Sequence, residues 1–222
     1  MEFLARLPAA HRRGTGTPTD SRAPGPFRQT VLVLRWSREH GCVHWLARDA
    51  GISQATGYRY LHEGISVPAA QAPDPHEVLD LCRAQGMTHV VLDGTPIACD
   101  RPASVRENGN DMWFSQKHKS FGGNIQFLAE PDGTPLWVSD VEPGSTPDIN
   151  LGRIHVLPAL YKAAADEIPT LADKGAIGTG IGIHVPVRRP KGRSETTLAR
   201  RIRATNALIR HVRARGERTG RN

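Results

Sequence analysis

The chain has 222 residues, 38% of them hydrophobic, and a formal net charge of +7, enough for one ordinary domain plus a small one with a real core. Its three cysteines, Cys42, Cys82 and Cys99, lie far apart with no CxxC pair, which argues against a disulfide framework or a structural zinc. No run is long enough to cross a bilayer and the first residues lack the apolar stretch of a secretory signal, so a cytoplasmic chain with no membrane partner is expected.

Residues 12–26 are rich in Gly, Pro and Ser/Thr, and residues 1–26 read as a flexible N-terminal segment. Helical spacing of apolar residues runs from Phe27 to Glu39 and ends at Gly41. A short second helix is expected from about Val43 to Ala50, with Gly51 as its stop. Ser53 then caps a third helix through Leu61. This is helix-turn-helix spacing over residues 27–67, with small Ala47 and Gly51 where two helices must approach closely. The third helix would present Gln54, Thr56, Tyr58 and Arg59 to a DNA groove. Gly57 is its weak point, costing about 1 kcal/mol of helix propensity relative to Ala. A three-helix packing unit without a nucleic-acid role is the plainer alternative.

Residues 68–86 read as a linker and a connecting amphipathic helix, Pro75 to Gln85, with Val78, Leu79, Leu81 and Cys82 toward a core. From residue 87 the pattern changes to strands: His89 to Leu92, Thr95 to Cys99, Asn124 to Ala129, a Pro-Asp-Gly turn at 131–133, and Pro135 to Val141. A helix is expected over Ser145 to Leu160, capped by Ser145 or Thr146, then a short strand from Thr170 to Ala172. Residues 174–185 carry four glycines and read as a mobile loop or irregular strand. They lack the Gly-Lys-Ser/Thr ending of a phosphate-binding loop. From Pro186 onward, 12 Lys and Arg face two Glu, a balance of +10 that leaves the first 185 residues at −3. Such segregation favours a polyanionic partner over a merely solvated face. The order of strands, a helix, a strand and a final helix is the ribonuclease-H-like arrangement, so the expected architecture is an N-terminal all-helical module followed by a ribonuclease-H-like mixed-sheet catalytic domain over 87–222.

Asp93 and Asp173 each follow an apolar run expected to end at them, which would project a carboxylate from a rigid strand tip. Glu217 lies far along the chain in a basic helix. Three such acids could serve metal-dependent phosphoryl transfer if folding brings them together.

Val91-Leu92-Asp93-Gly94-Thr95, Lys117-His118-Lys119, Pro143-Gly144-Ser145-Thr146-Pro147-Asp148, Ala172-Asp173-Lys174-Gly175 and Arg213-Ala214-Arg215-Gly216-Glu217-Arg218 occur in an order that resembles the DDE transposases of bacterial insertion sequences. The likeness is to the group that includes insertion sequence five, and it covers roughly residues 27–222. It implies Asp93, Asp173 and Glu217 as the catalytic, metal-binding triad, with Asp148 as a competing second acid whose alternative role is helix capping. It implies Lys117, His118 and Lys119 near the DNA backbone, where His118 would contact phosphate or lie on a solvated loop. Arg188, Arg189, Lys191 and Arg193 read as backbone-contact residues.

Two Mg²⁺ ions, or Mn²⁺ in their place, would be held by the triad, Asp93 bridging both. The partners implied are double-stranded DNA, as terminal inverted repeats and as target, with a homodimer left open and a nucleoid-associated location. The sequence departs from the family at Ala176, where an aromatic residue is usual, and it stops five residues after Glu217. A shortened copy is therefore expected, and a catalytically impaired protein that only binds DNA stands as the alternative. A ribonuclease-H-like nuclease unconnected with transposition is a third.

Overall fold

A computed structural model describes residues 1–19, 21–39, 41–188, 191–192 and 198–216. The chain divides after Ala72 into a helical unit, Met1–Ala72, and a sheet-containing unit, Pro73–Asn222.

The helical unit contains α1 (Glu2–Gly14), α2 (Pro26–Glu39), α3 (Val43–Asp49) and α4 (Gln54–Ala69). Its apolar centre is Leu32, Val43, Leu46 and Leu61. Helix α1 corrects the reading of residues 1–26 as flexible throughout. Pro8 and Arg12 are buried one helical turn apart, with Leu4, Ala5 and Ala9 half-buried beside them, so a real amphipathic face precedes the Gly/Pro-rich stretch. Arg12 Nη2 donates to Oε1 of the fully buried Gln29 at 2.6 Å, and Gln29 Nε2 donates to Tyr60 O at 3.0 Å. Glu63 faces Arg12 Nε at 3.5 Å, an ion pair without hydrogen-bond geometry, and also pairs with Arg22.

Helix α3 ends where Gly51 takes φ +68°, and Ile52 N donates to Ala47 O at 3.0 Å, closing a glycine C-cap. Ser53 Oγ accepts from Thr56 N at 3.2 Å and starts α4. Gly57 is no defect in α4. A Cβ there would stand 2.8 Å from Ala47 Cβ and 3.3 Å from Val43 Cγ1, so α3 and α4 approach as closely as they do because this position has no side chain. Helix α4 also runs beyond Leu61 to Ala69, and within that extension Gly64 lies so close to Val33 that a Cβ would overlap it.

The second unit starts with α5 (Pro75–Ala84), capped by Asp74 Oδ1, which accepts from His76 N at 2.8 Å. Its strands are β1 (Val90–Ala98), β2 (Phe114–Ser115), β3 (Ser120–Ala129), β4 (Pro135–Val138), β5 (Glu142–Pro143), β6 (Thr170–Ala172) and β7 (Ile183–His184). The main path runs β2-β3-β1-β6-β7, with β4 and β5 also pairing β3. Pairing is antiparallel from β1 to β3 and parallel from β1 to β6 and β6 to β7, a mixed sheet. Successive residues of β1 separate into two apolar clusters: Val90 and Leu92 pack with Leu128, Leu157, Leu160 and Ala172, while Val91 packs with Phe127 and Ala129. Helix α5 and helix α7 (Leu157–Ala165) cover the first cluster, through Val78, Leu79, Cys82 and Leu160. Leu81, expected on that core side, is exposed.

The structure departs from the sequence pattern at three further places. The runs on either side of Asp93 and Gly94 form one continuous strand, because β3 pairs with β1 from Val91 through Ala98. Strand β6 reaches only Leu92. Beyond it β1 has one ladder among the described residues, a setting that tolerates Pro96. The helix expected over Ser145–Leu160 is two helices, α6 (Asp148–His155) and α7, broken at Val156. Pro158 cannot sit inside a continuous helix but fits the first turn of a new one. Neither Ser145 nor Thr146 caps α6; Ser145 Oγ donates to Met112 O at 2.5 Å. Residues 174–184 are a single 3₁₀ turn (Lys174–Ala176), glycine turns and β7, with Gly178, Gly180 and Gly182 all at positive φ.

Helix α8 (Arg200–Gly216) contacts β6. It is pinned by buried Asn206, whose amide accepts from Val187 N at 2.9 Å and donates to Val187 O at 3.0 Å.

Candidate active site

The parallel register sets Leu92 opposite Ala172, so the next residues, Asp93 and Asp173, fall side by side where the β1–β6 pairing ends. Asp173 does follow a strand end. Asp93 lies within β1, at the point where β6 stops covering it. The Asp173 carboxylate is fixed locally, Oδ1 accepting from Gly175 N at 2.6 Å. Gly175 explains a third arrival: a Cβ there would lie 2.8 Å from Asp173 Oδ1 and 2.8 Å from Asp148 Oδ2. Two carboxylates from different elements therefore close over a position that only glycine leaves open.

Asp148 opens α6, but its side chain caps nothing. Oδ1 accepts from Asn124 Nδ2 at 2.8 Å and Oδ2 from Lys117 Nζ at 2.9 Å. Its backbone is held as well, Gln126 Nε2 donating to Asp148 O at 2.8 Å. Asn124 and Gln126 sit two apart on β3 and so face the same way. Burial pushes the Asp148 carboxyl up. The hydrogen bonds from Lys117 and Asn124, with the charges of Lys117 and His118, outweigh it and leave the group below the usual carboxylate value. Lys117 moves the opposite way, raised first by its hydrogen bond to Asp148 and further by the charges of Asp148, Asp173 and Asp93.

Leu92, Asp93, Lys117, Gln126, Asp148 and Asp173 line a cleft of about 30 Å³. Its donors are hard carboxylate oxygens suited to a divalent cation, and Asp148 already holds one cation there, the Lys117 ammonium. Among the described residues buried Gln126 Oε1 has no hydrogen-bond partner. Among the described residues no three His, Cys, Asp or Glu side chains stand as a ready three-ligand shell. By charge and donor type, Asp93, Asp148 and Asp173 are the residues of this cleft that could hold a divalent ion.

Of Lys117, His118 and Lys119, only Lys117 pairs with one of these acids. The three follow β2 in a tight turn, where Lys119 adopts φ 55° and its N donates to Ser115 O at 2.7 Å. Lys119 Nζ donates to Gln116 Oε1, and His118 is exposed. A wider cleft of about 420 Å³ adjoins the acids, lined by Lys117, His118, Thr146, Asp148 and Arg188 among others. Lys191 is exposed. Glu217, Arg189 and Arg193 lie outside the described residues.

In the helical unit Gln54, Tyr58 and Arg59 are exposed on α4, with Gln54 Oε1 3.3 Å from His44 Nδ1 and Tyr58 stacked on His62. The Thr56 hydroxyl is committed locally, accepting from Ser53 Oγ and from Arg59 Nη2. Asn124 and Gln126 were not visible as site residues in the sequence, where they are only polar positions in an apolar strand.

Residues 92–221 match the family model described as DDE superfamily endonuclease. The chain belongs to that family, whose members use divalent metal ions. No curated protein matches it. Two solved structures are similar: a pre-cleavage Mos1 transpososome, at 14% identity and TM-score 0.21 over 89% of this chain, and a Mos1 transposase paired-end complex with left transposon end, at 15% and 0.20 over 90%. The chain spans 63% of the length of each of those chains. No described helix is long and apolar enough to cross a membrane.

Proposed function

We propose that this chain is a DNA transposase of the insertion-sequence type, cleaving phosphodiester bonds at element ends and joining the freed 3′-hydroxyl to target DNA. The observation that carries the reading is the Leu92–Ala172 register, which sets Asp93 beside Asp173 within the segment matched to the endonuclease family. Asp93 and Asp173 are the principal metal ligands in this proposal, with Mg²⁺ as the ion. Asp148, anchored by Asn124 and Gln126, adds a third carboxylate, and Glu217 remains the fourth candidate. Bound divalent ions would supply an activated water and offset charge in the in-line transition state. The carboxylates' task is to hold those ions at a fixed edge, while Gly175 keeps the space between Asp148 and Asp173 open. Lys117 and Arg188 line the adjoining cleft with positive charge suited to the strand's phosphates, with the His118 imidazole beside them.

The α3-turn-α4 unit is proposed as a helix-turn-helix that reads terminal repeats, Gln54, Tyr58 and Arg59 being the exposed candidates. Thr56 would act mainly as part of the cap.

The test is nicking of double-stranded DNA bearing the terminal repeats by purified protein in Mg²⁺ or Mn²⁺. Metal-dependent nicking lost in Asp93→Asn supports the reading, and nicking that survives this substitution removes Asp93 from it. Repeat-specific binding without nicking would make the chain a DNA-binding protein only. Nicking indifferent to the repeats would make it a nuclease outside transposition.

A further inference from the structure

We infer that Lys117 is a resident counter-ion of the acidic cleft, which a divalent cation must displace from Asp148 before the carboxylates can act as a metal site. This rests on the metal-binding reading proposed above. Lys117 Nζ lies 2.9 Å from Asp148 Oδ2 while Asn124 occupies the other oxygen, so both oxygens of that carboxylate are engaged while the lysine is in place. Asp173 and Asp93 also act on Lys117 by their charge, and both line the same cleft. A metal ion arriving there meets a like charge on its nearest ligand.

The anchoring suits a displaceable group. The backbone of the turn is fixed by the Lys119 N–Ser115 O bond, whereas the Lys117 side chain is 64% exposed on a flexible stem. Lys117 lines both the acidic cleft and the wider one beside it, so a displaced ammonium has a neighbouring place to go without any movement of β2 or β3. Competition of this kind lowers apparent metal affinity by the fraction of molecules in which the lysine is out. Lys117 is thus a positioning residue: removing its charge strengthens metal binding, the opposite of what loss of a merely structural ion pair would do.

The experiment is titration of the DNA-free full chain with Mn²⁺, free ion being read by electron paramagnetic resonance, for wild type, Lys117→Met and Lys117→Arg. Lys117→Met is expected to bind Mn²⁺ roughly tenfold tighter, a difference of about 1.4 kcal/mol. Lys117→Arg, which keeps the charge, should stay near wild type. Equal or weaker binding by a folded Lys117→Met, with wild type binding Mn²⁺ normally, overturns this inference alone. Binding by neither protein overturns the metal-site reading and this inference with it.

Discussion

In the helical unit one acid, Glu63, faces two cations, Arg12 and Arg22; at the sheet edge three acids, Asp93, Asp148 and Asp173, act together on Lys117. Both are polar groups drawn inward, and the ratio of charges separates their roles. Where cations outnumber the acid, charge is balanced within the unit and the Arg12–Glu63 pair links α1 to α4, although Arg12 Nε and Glu63 Oε1 make no hydrogen bond among the described residues. Where three acids act on one lysine, their negative charge is what the proposed divalent ion would offset. The cluster in the helical unit joins its own elements; the sheet edge is where a divalent ion is proposed.

The largest expected effect lies at the edge. Asp93→Asn should lower metal-dependent nicking by at least about 10²-fold while leaving the far-ultraviolet circular dichroism spectrum unchanged. Unfolding instead would place Asp93 with the structural acids and break the comparison. Glu63→Gln should do the reverse, leaving Arg12 buried without its counter-charge and costing about 3 kcal/mol, read as lost hydrogen-exchange protection in α2 and α4. A silent Glu63→Gln would mean that charge matching is not what holds the unit.

Packing in the helical unit can be separated from charge. Gly57→Val should destabilise it by about 2 kcal/mol through overlap with Ala47 and Val43, and adding Ala47→Gly should recover part of the loss in a denaturant melt. Ser53→Ala removes the cap to Thr56 and should cost about 1 kcal/mol. The smallest effect is in pH. Because the Asp148 carboxyl is held below its ordinary value of 3.8 when folded, its contribution is complete above that pH and is lost as pH falls through the lower folded value. Lys117, raised above 10.5, contributes fully below that value and loses its share as pH rises through the folded one. Asp148→Asn should therefore flatten the acid limb of a stability profile below about pH 4, and an unchanged limb would assign the acid loss to other carboxylates.

Local chemistry was readable where it is set by neighbours in the chain. The cap at Ser53, the turn at Gly51, the hairpin at residues 131–133 and the strand Thr170–Ala172 follow from periodicity and turn residues, and the structure has each of them. So does the placement of Asp173 at a strand end. The pattern failed where a partner element decides: β1 runs through Asp93 because β3 is there to pair with it, and Gly57 fits α4 because Ala47 crosses it.

What the sequence by itself determined is which residues could do the chemistry, since carboxylates after apolar runs and a segregated basic segment are matters of residue type and order. That Asp148 belongs beside Asp173, that it is gripped by Asn124 and Lys117 from 24 and 31 residues away, and that Gly175 leaves room for both acids were decided only by tertiary structure. Hydrogen bonds between remote side chains depend on strand register and crossover geometry, and neither is written in any local pattern.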